Sequence, residues 1–234
     1  MKLHKIFTAL CSTVLLTSFI FAAHISAQQL DVDDSQLTEN RSMQFEAWYD
    51  NQSWILATVN PLNFMEFSGG IGFDSDDRFS TERWAIESKI TFFNPDQNKL
   101  GLALFGGLYS DFTSTMREFI SYIPVTKILP DQKSMIHLNL GFEATFDELE
   151  GVSSGWSQRF FSGIRSDIYL SDQFSFLGEV VFMDFSEPLF QAGINWVVLP
   201  EKVEFLISYG EYFHTRTSPP GLNFGLTIMT DTLW

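Results

Sequence analysis

The sequence predicts an all-β protein, an antiparallel up-and-down transmembrane β-barrel of twelve strands spanning residues 42–234. Three observations predict it. Apolar residues alternate with small or polar ones along much of the chain. Short clusters of Pro, Asp, Asn and Gln punctuate that alternation at regular spacing. Finally, 25 Phe, 6 Trp and 6 Tyr are present, yet no segment after the amino-terminal leader is apolar for long enough to cross a bilayer as a helix. A small soluble core would not absorb that many rings, whereas strands facing lipid would.

Residues 1–27 carry Lys2 and Lys5, an apolar stretch from Ile6 to Ala23, and small residues before a cut after Ile25-Ser26-Ala27. This is the pattern of a secretory signal peptide. Cys11, the one cysteine, lies inside it, so residues 28–234 are expected to use neither disulfide nor thiol chemistry. The formal charge of −15 becomes two units more negative without the two lysines, which argues against nucleic acid as a partner. Residues 28–41, rich in Asp, Gln and Ser, read as a disordered periplasmic lead-in.

Twelve segments then alternate, at 42–49, 54–60, 63–73, 83–93, 99–110, 116–128, 134–146, 158–170, 174–184, 189–199, 203–213 and 221–234. The sixth carries Pro124, which leaves room for ten strands or a distorted wall. Five connections are tight turns, around Asn60-Pro61, Asn94-Pro95-Asp96, Leu129-Pro130-Asp131, Leu170-Ser171-Asp172 and Leu199-Pro200-Glu201. The other six, around 50–53, 74–81, 110–115, 147–156, 184–188 and 214–220, include longer polar stretches, the asymmetry expected of short periplasmic turns and outer loops. Tyr49, Trp54, Trp84 and Tyr109 near one set of strand ends, and Tyr169, Trp196 and Trp234 near the other, are expected to form two interfacial girdles.

The last segment places Phe224, Leu226, Ile228 and Trp234 on one face. Ending such a strand on an aromatic resembles the carboxy-terminal signal read by the outer-membrane assembly machinery. From about residue 117 onward the chain also resembles a group of outer-membrane barrels that includes a MetA-pathway phenol-degradation or transporter-like family. The resemblance rests on Ile123-Pro124-Val125-Thr126, Ile136-His137-Leu138-Asn139-Leu140-Gly141, Leu177-Gly178-Glu179-Val180, Phe190-Gln191-Ala192-Gly193-Ile194-Asn195-Trp196, Leu199-Pro200-Glu201-Lys202-Val203 and Ser208-Tyr209-Gly210. It implies transport of a small molecule.

Strand parity turns Glu87, Lys89, His137, Glu143, Arg159, Arg165, Asp167 and Glu179 inward as lumen-lining candidates, with Arg165 opposite Glu179 across the eighth and ninth strands. Paired charges would stiffen a narrow lumen; the same charges around open water would line a permeation path. No enzyme is expected. A barrel hydrolase needs His beside Ser or Asp, and only His137 and His214 follow the leader, neither in a His-x-Ser-Asn pattern. No metal or cofactor is expected either, since Asp74, Asp76 and Asp77 read as a solvated acidic loop and no nucleotide or zinc pattern is present.

The expected function is a porin-like passive channel or uptake barrel for small solutes in the outer membrane. Its expected partners are lipid and lipopolysaccharide, the barrel-assembly machinery and a small-molecule solute. The alternative is a closed structural or surface-interaction barrel without transport activity.

Overall fold

The computed structural model describes residues 32–49, 52–74, 80–112, 117–131, 134–147, 155–184, 188–212 and 221–233. Twelve strands run in chain order: β1 (Met43–Tyr49), β2 (Gln52–Leu62), β3 (Met65–Asp74), β4 (Ser80–Phe93), β5 (Leu100–Asp111) and β6 (Arg117–Ile128). They continue as β7 (Met135–Asp147), β8 (Gly155–Tyr169), β9 (Phe174–Met183), β10 (Leu189–Leu199), β11 (Val203–Tyr212) and β12 (Gly221–Met229). Each pairs antiparallel with its neighbours in sequence, and β1 pairs with β12, from Gln44 opposite Met229 to Tyr49 opposite Phe224. Closure removes both sheet edges, so the ladder takes up its own backbone N–H and C=O groups, which a wall in hydrocarbon requires.

Side chains then divide by parity. In β7, Ile136, Leu138, Leu140 and Phe142 are exposed, while His137, Asn139 and Glu143 are buried. In β12, Phe224 and Ile228 are exposed and Asn223 is buried. Such inversion, with large apolar residues outside and mostly polar ones inside, recurs around the wall and is broken by an inward cluster of Phe105, Tyr122, Phe161, Val181 and Leu189; the apolar outer belt is far larger than a soluble monomer presents. Among the described residues no helix is long and apolar enough to cross a membrane.

The turns explain the strand ends. Asn94 caps a single helical turn, α1 (Pro95–Asn98), by accepting from the Asp96 N–H at 2.8 Å, and Lys99 closes it in the left-handed region at φ 57°. Between β8 and β9, the Ser171 hydroxyl accepts from the N–H groups of Gln173 and Phe174 at 3.2 and 3.1 Å. Glu201, at φ 58°, turns the chain between β10 and β11. These tight connections and the start of β1 share one end of the barrel, called here the turn end; the opposite rim is the loop end.

Pro124 stays within β6. Its missing N–H costs no rung, because the register with β5 lapses between the Leu102–Val125 and Phe105–Tyr122 pairs, while pairing to β7 continues through Pro124 opposite Asn139. The wall therefore keeps twelve strands.

Three expectations need correction. β12 stops at Met229, and from there Thr230 and Leu233 tie back through their N–H groups to the carbonyls of Met43 and Arg41 at 2.9 and 2.8 Å. Residues 32–41 are not a disordered lead-in: Val32 and Ser35 are wholly buried inside the barrel. Trp54 and Tyr109 are not girdle residues, because Ile55, Leu104 and Leu108 hold the lipid face of their strands and turn both rings into the lumen. Tyr169 also lines the lumen, whereas Trp196 faces out beside Phe174, with ring centroids 6.1 Å apart. Trp234, His214, Asp76 and Asp77 lie outside the described residues.

An outward residue at mid-wall should be sensitive to charge. Leu140→Arg is expected to destabilise the barrel by about 2–4 kcal/mol in urea unfolding from lipid vesicles. A change below about 0.5 kcal/mol would mean that this face does not sit in lipid.

Candidate functional site: a lumen crossed by the amino-terminal strap

The eight inward charges expected from the sequence all lie on the inner wall, on β4, β7, β8 and β9. What the sequence did not suggest is their shared partner. Residues 32–42 enter from the turn end and lie along the wall as a strap, from Asn60 on β2 and Glu66 on β3 at the Thr38 end to Glu179 on β9 at the Val32 end.

Each residue of the strap has a seat. The Val32 N–H donates to Glu179 Oε2 at 3.0 Å, and its carbonyl accepts from Arg165 Nη1 at 2.5 Å. Its side chain packs with Phe105, Tyr122, Phe161, Val181 and Leu189, the apolar cluster of the lumen. Gly163 leaves the space for it, since a Cβ there would come within 2.4 Å of Val32 Cγ2. The Asn139 amide, oriented by its partners, donates to the Asp33 carbonyl at 3.0 Å and accepts from the Asp33 N–H at 2.7 Å. Lys89 Nζ lies 3.3 Å from Asp33 Oδ2, 3.9 Å from Asp34 Oδ1 and 3.2 Å from Glu66 Oε1. Farther toward the turn end, Glu66 Oε2 accepts from the Thr38 N–H at 2.8 Å.

Thr126, His137 and Asp167 are aligned as hydroxyl, imidazole and carboxylate, at 3.0 and 3.2 Å. That order resembles a nucleophile with its base and orienting acid. However, Thr126 and His137 are wholly buried, and the Thr126 hydroxyl also accepts from the Ser35 N–H at 2.9 Å. The row fastens the strap.

Arg165 stands opposite Glu179 in the register, as the turn between β8 and β9 led one to expect. The guanidinium bonds chiefly elsewhere, with Nε 2.9 Å from Asp167 Oδ1 and Nη1 on the Val32 carbonyl. Arg159, half exposed, pairs with Glu143.

Beside the strap runs a cavity of about 860 Å³. Its lining includes Trp48, Trp54, Arg83 and Glu118 near the loop end and Tyr169, Asn195, Glu204 and Met229 near the turn end. Ten carboxylates and four cationic side chains line it. All four cations are paired: Arg83 with Asp111 and Glu118 at 3.2 and 3.0 Å, Lys89 and Arg165 as above, and Arg159 with Glu143. By contrast Glu46, Glu87 and Glu204 have neutral partners, Gln44, Tyr109 and Asn195. Glu46 and Glu204 were legible from the parity of β1 and β11; Asp33 and Asp34 carried no signal.

No family model and no curated protein matches the chain. Among solved structures, the KdgM porin superposes with a TM-score of 0.56 at 8% identity, over 81% of this chain and 98% of that one. The KdgM porin in complex with disordered oligogalacturonate gives the same values. The NanC porin superposes with a TM-score of 0.58 at 9% identity, over 82% of this chain and all of that one. These likenesses show the fold, and the narrower phenol-degradation group is not shown by them.

Lys89→Met would leave Glu66, Asp33 and Asp34 without their shared cation, a loss of the kind that costs about 3–5 kcal/mol. The expected result is a lower unfolding midpoint and at least tenfold faster amide exchange at Val32 and Ser35, followed by mass spectrometry. Unchanged exchange would show that the strap is held without Lys89. With its closed wall, apolar outer belt and polar lumen, the chain has the fold of a bacterial outer-membrane porin barrel, similar to those of KdgM and NanC.

Proposed function

We propose that the protein is an outer-membrane channel for small solutes, narrowed by its own amino-terminal strap and selective for cations over anions. The observation that carries this reading is the cavity beside the strap, lined by residues near both ends of the barrel and holding more carboxylates than its cations neutralise. Water between such walls lets a small ion keep its hydration while the surplus charge of Glu46, Glu87 and Glu204 raises the local concentration of cations. The oligogalacturonate held by the KdgM porin is a chain of carboxylates. In this lumen it would meet like charge, so neutral and cationic solutes are the better fit.

The strap itself favours a second reading, a barrel closed by its own plug. Its hydrogen bonds, its apolar seat and the space left by Gly163 amount to a built receptacle.

Planar bilayers test both readings with the full chain and with a variant lacking residues 28–38. The channel reading expects stepwise conductance from the full chain, a reversal potential in a KCl gradient on the cation side, and larger steps once the strap is gone. Glu46→Gln with Glu204→Gln should move the reversal potential toward zero. Silence from the full chain with conductance from the shortened one would replace the channel by the plugged barrel. Silence from both, with each protein folded, would remove transport altogether.

A further inference from the structure

We propose that the loop-end half of the lumen holds a recognition site for organic cations, quaternary ammonium groups or protonated alkylamines, built from Trp48, Trp54, Glu46 and Glu87. It rests on the channel reading for its role, and deepens it by naming a solute class.

The first observation is how two indoles are laid into the wall. Trp48 and Trp54 stand opposite each other on β1 and β2, and the next residues around the ring are glycines, Gly225 beside Trp48 and Gly72 beside Trp54. A Cβ on Gly72 would lie 2.9 Å from Trp54 Cε2 and Cζ2; one on Gly225 would lie 3.2 Å from Trp48 Cδ1. A larger residue at 72 would force the Trp54 indole to move, and one at 225 would crowd Trp48 by a few tenths of an ångström. Both rings therefore lie across backbone on one side and line the cavity on the other. In a wall whose neighbouring inward positions are mainly charged or hydrogen-bonding, two such rings are the unusual element.

The second observation is electrostatic and independent of the first. Glu46 lies two residues from Trp48 on the same face of β1, and Glu87 faces the same cavity from β4, its carboxylate accepting from the Tyr109 hydroxyl at 2.7 Å. The Tyr109 ring stands edge-on to Trp54, with centroids 6.0 Å apart at 87°. Indole faces attract cations through the ring quadrupole, and carboxylates add their own attraction. A solute with a diffuse positive charge and an apolar skin satisfies both, whereas a strongly hydrated metal ion gains little from the rings.

The wall already uses this chemistry once. Arg83 holds its guanidinium 6.0 Å from the Trp54 ring centroid, while Asp111 and Glu118 neutralise it. Among the described residues no ring or cation stands over Trp48, so Trp48 offers the open face.

The test uses the full chain in detergent and choline as the probe, followed by saturation-transfer NMR on its methyl signal. Sodium at matched ionic strength and dimethylbutanol, the uncharged isostere of choline, serve as competitors. The expected result is saturable choline binding that neither competitor displaces, weakened about two- to fivefold by Trp48→Ala and by Glu87→Gln. Trp48→Phe, which keeps a ring, should retain most of it and guards against a simple folding defect; heat-modifiable gel migration checks each variant. The proposal is overturned by no saturable binding, by equal binding of the isostere, or by binding indifferent to Trp48→Ala. Because no flux is measured, choline binding by a barrel that is silent in bilayers would keep the site and sink the channel. Conductance without choline binding would do the reverse.

Discussion

Lys89 is the interaction on which the interior depends. Its ammonium is about nine-tenths buried on β4 and lies within 4 Å of Asp33, Asp34 and Glu66. An isolated charge in such a place costs several kcal/mol, so the wall residue requires its counter-charges. Glu66 on β3 supplies one of them from the wall. Asp33 and Asp34 come from the strap, which means that the electrostatics of the barrel interior are complete only when the amino-terminal segment is seated. The apolar cluster around Val32 adds a contact that has no charge at all, worth roughly 1.5–3 kcal/mol for a buried side chain of that kind.

The same requirement arises from the outer surface. With lipid on one face of a period-two wall, the polar residues of every strand are sent inward, where twelve strands bring them close together. Nature has two ways to manage such a lumen: fill it with paired charges, or leave it wet. This chain does both in different sectors. From β4 to β9 most charges are satisfied by one another and by the strap; Glu46 on β1, Glu87 on β4 and Glu204 on β11 have neutral partners and face the cavity.

Much of the wall was legible because its signals are local. Proline and Asx turns fix where strands end, and parity fixes which way each side chain points, so the twelve segments and the inward set from Glu87 to Glu179 follow from short windows of sequence. Pro124 was ambiguous for a good reason: a window cannot reveal that its missing donor faces a lapse in the ladder. The strap was illegible because its partners lie far away in sequence, 147 residues in the case of Val32 and Glu179. Asp-rich, Ser-containing sequence looks disordered when its counter-charges are unknown. Trp54 and Tyr109 are a different case, since the outward neighbours Ile55 and Leu108 fix their parity within the local sequence. Nearness to a strand end does not by itself place a ring in an interfacial girdle; its facing decides.

Seating the strap also changes what the lumen presents to a solute. At its height the wall alone offers Lys89 and Arg165 against Glu66, Asp167 and Glu179, with Asn139 and the Thr126 hydroxyl as neutral donors and acceptors. The strap spends Lys89 and Arg165 on its own carboxylates and backbone, and covers Asn139 and Thr126. It thereby engages two of the four cations that line the cavity, while Arg83 and Arg159 are paired by carboxylates of the wall. The carboxylates left facing the cavity lie mainly in the sector the strap does not touch. On the proposed channel reading, anion rejection would depend on the seated strap as well as on the wall, because the segment that narrows the lumen also engages two of its four cations.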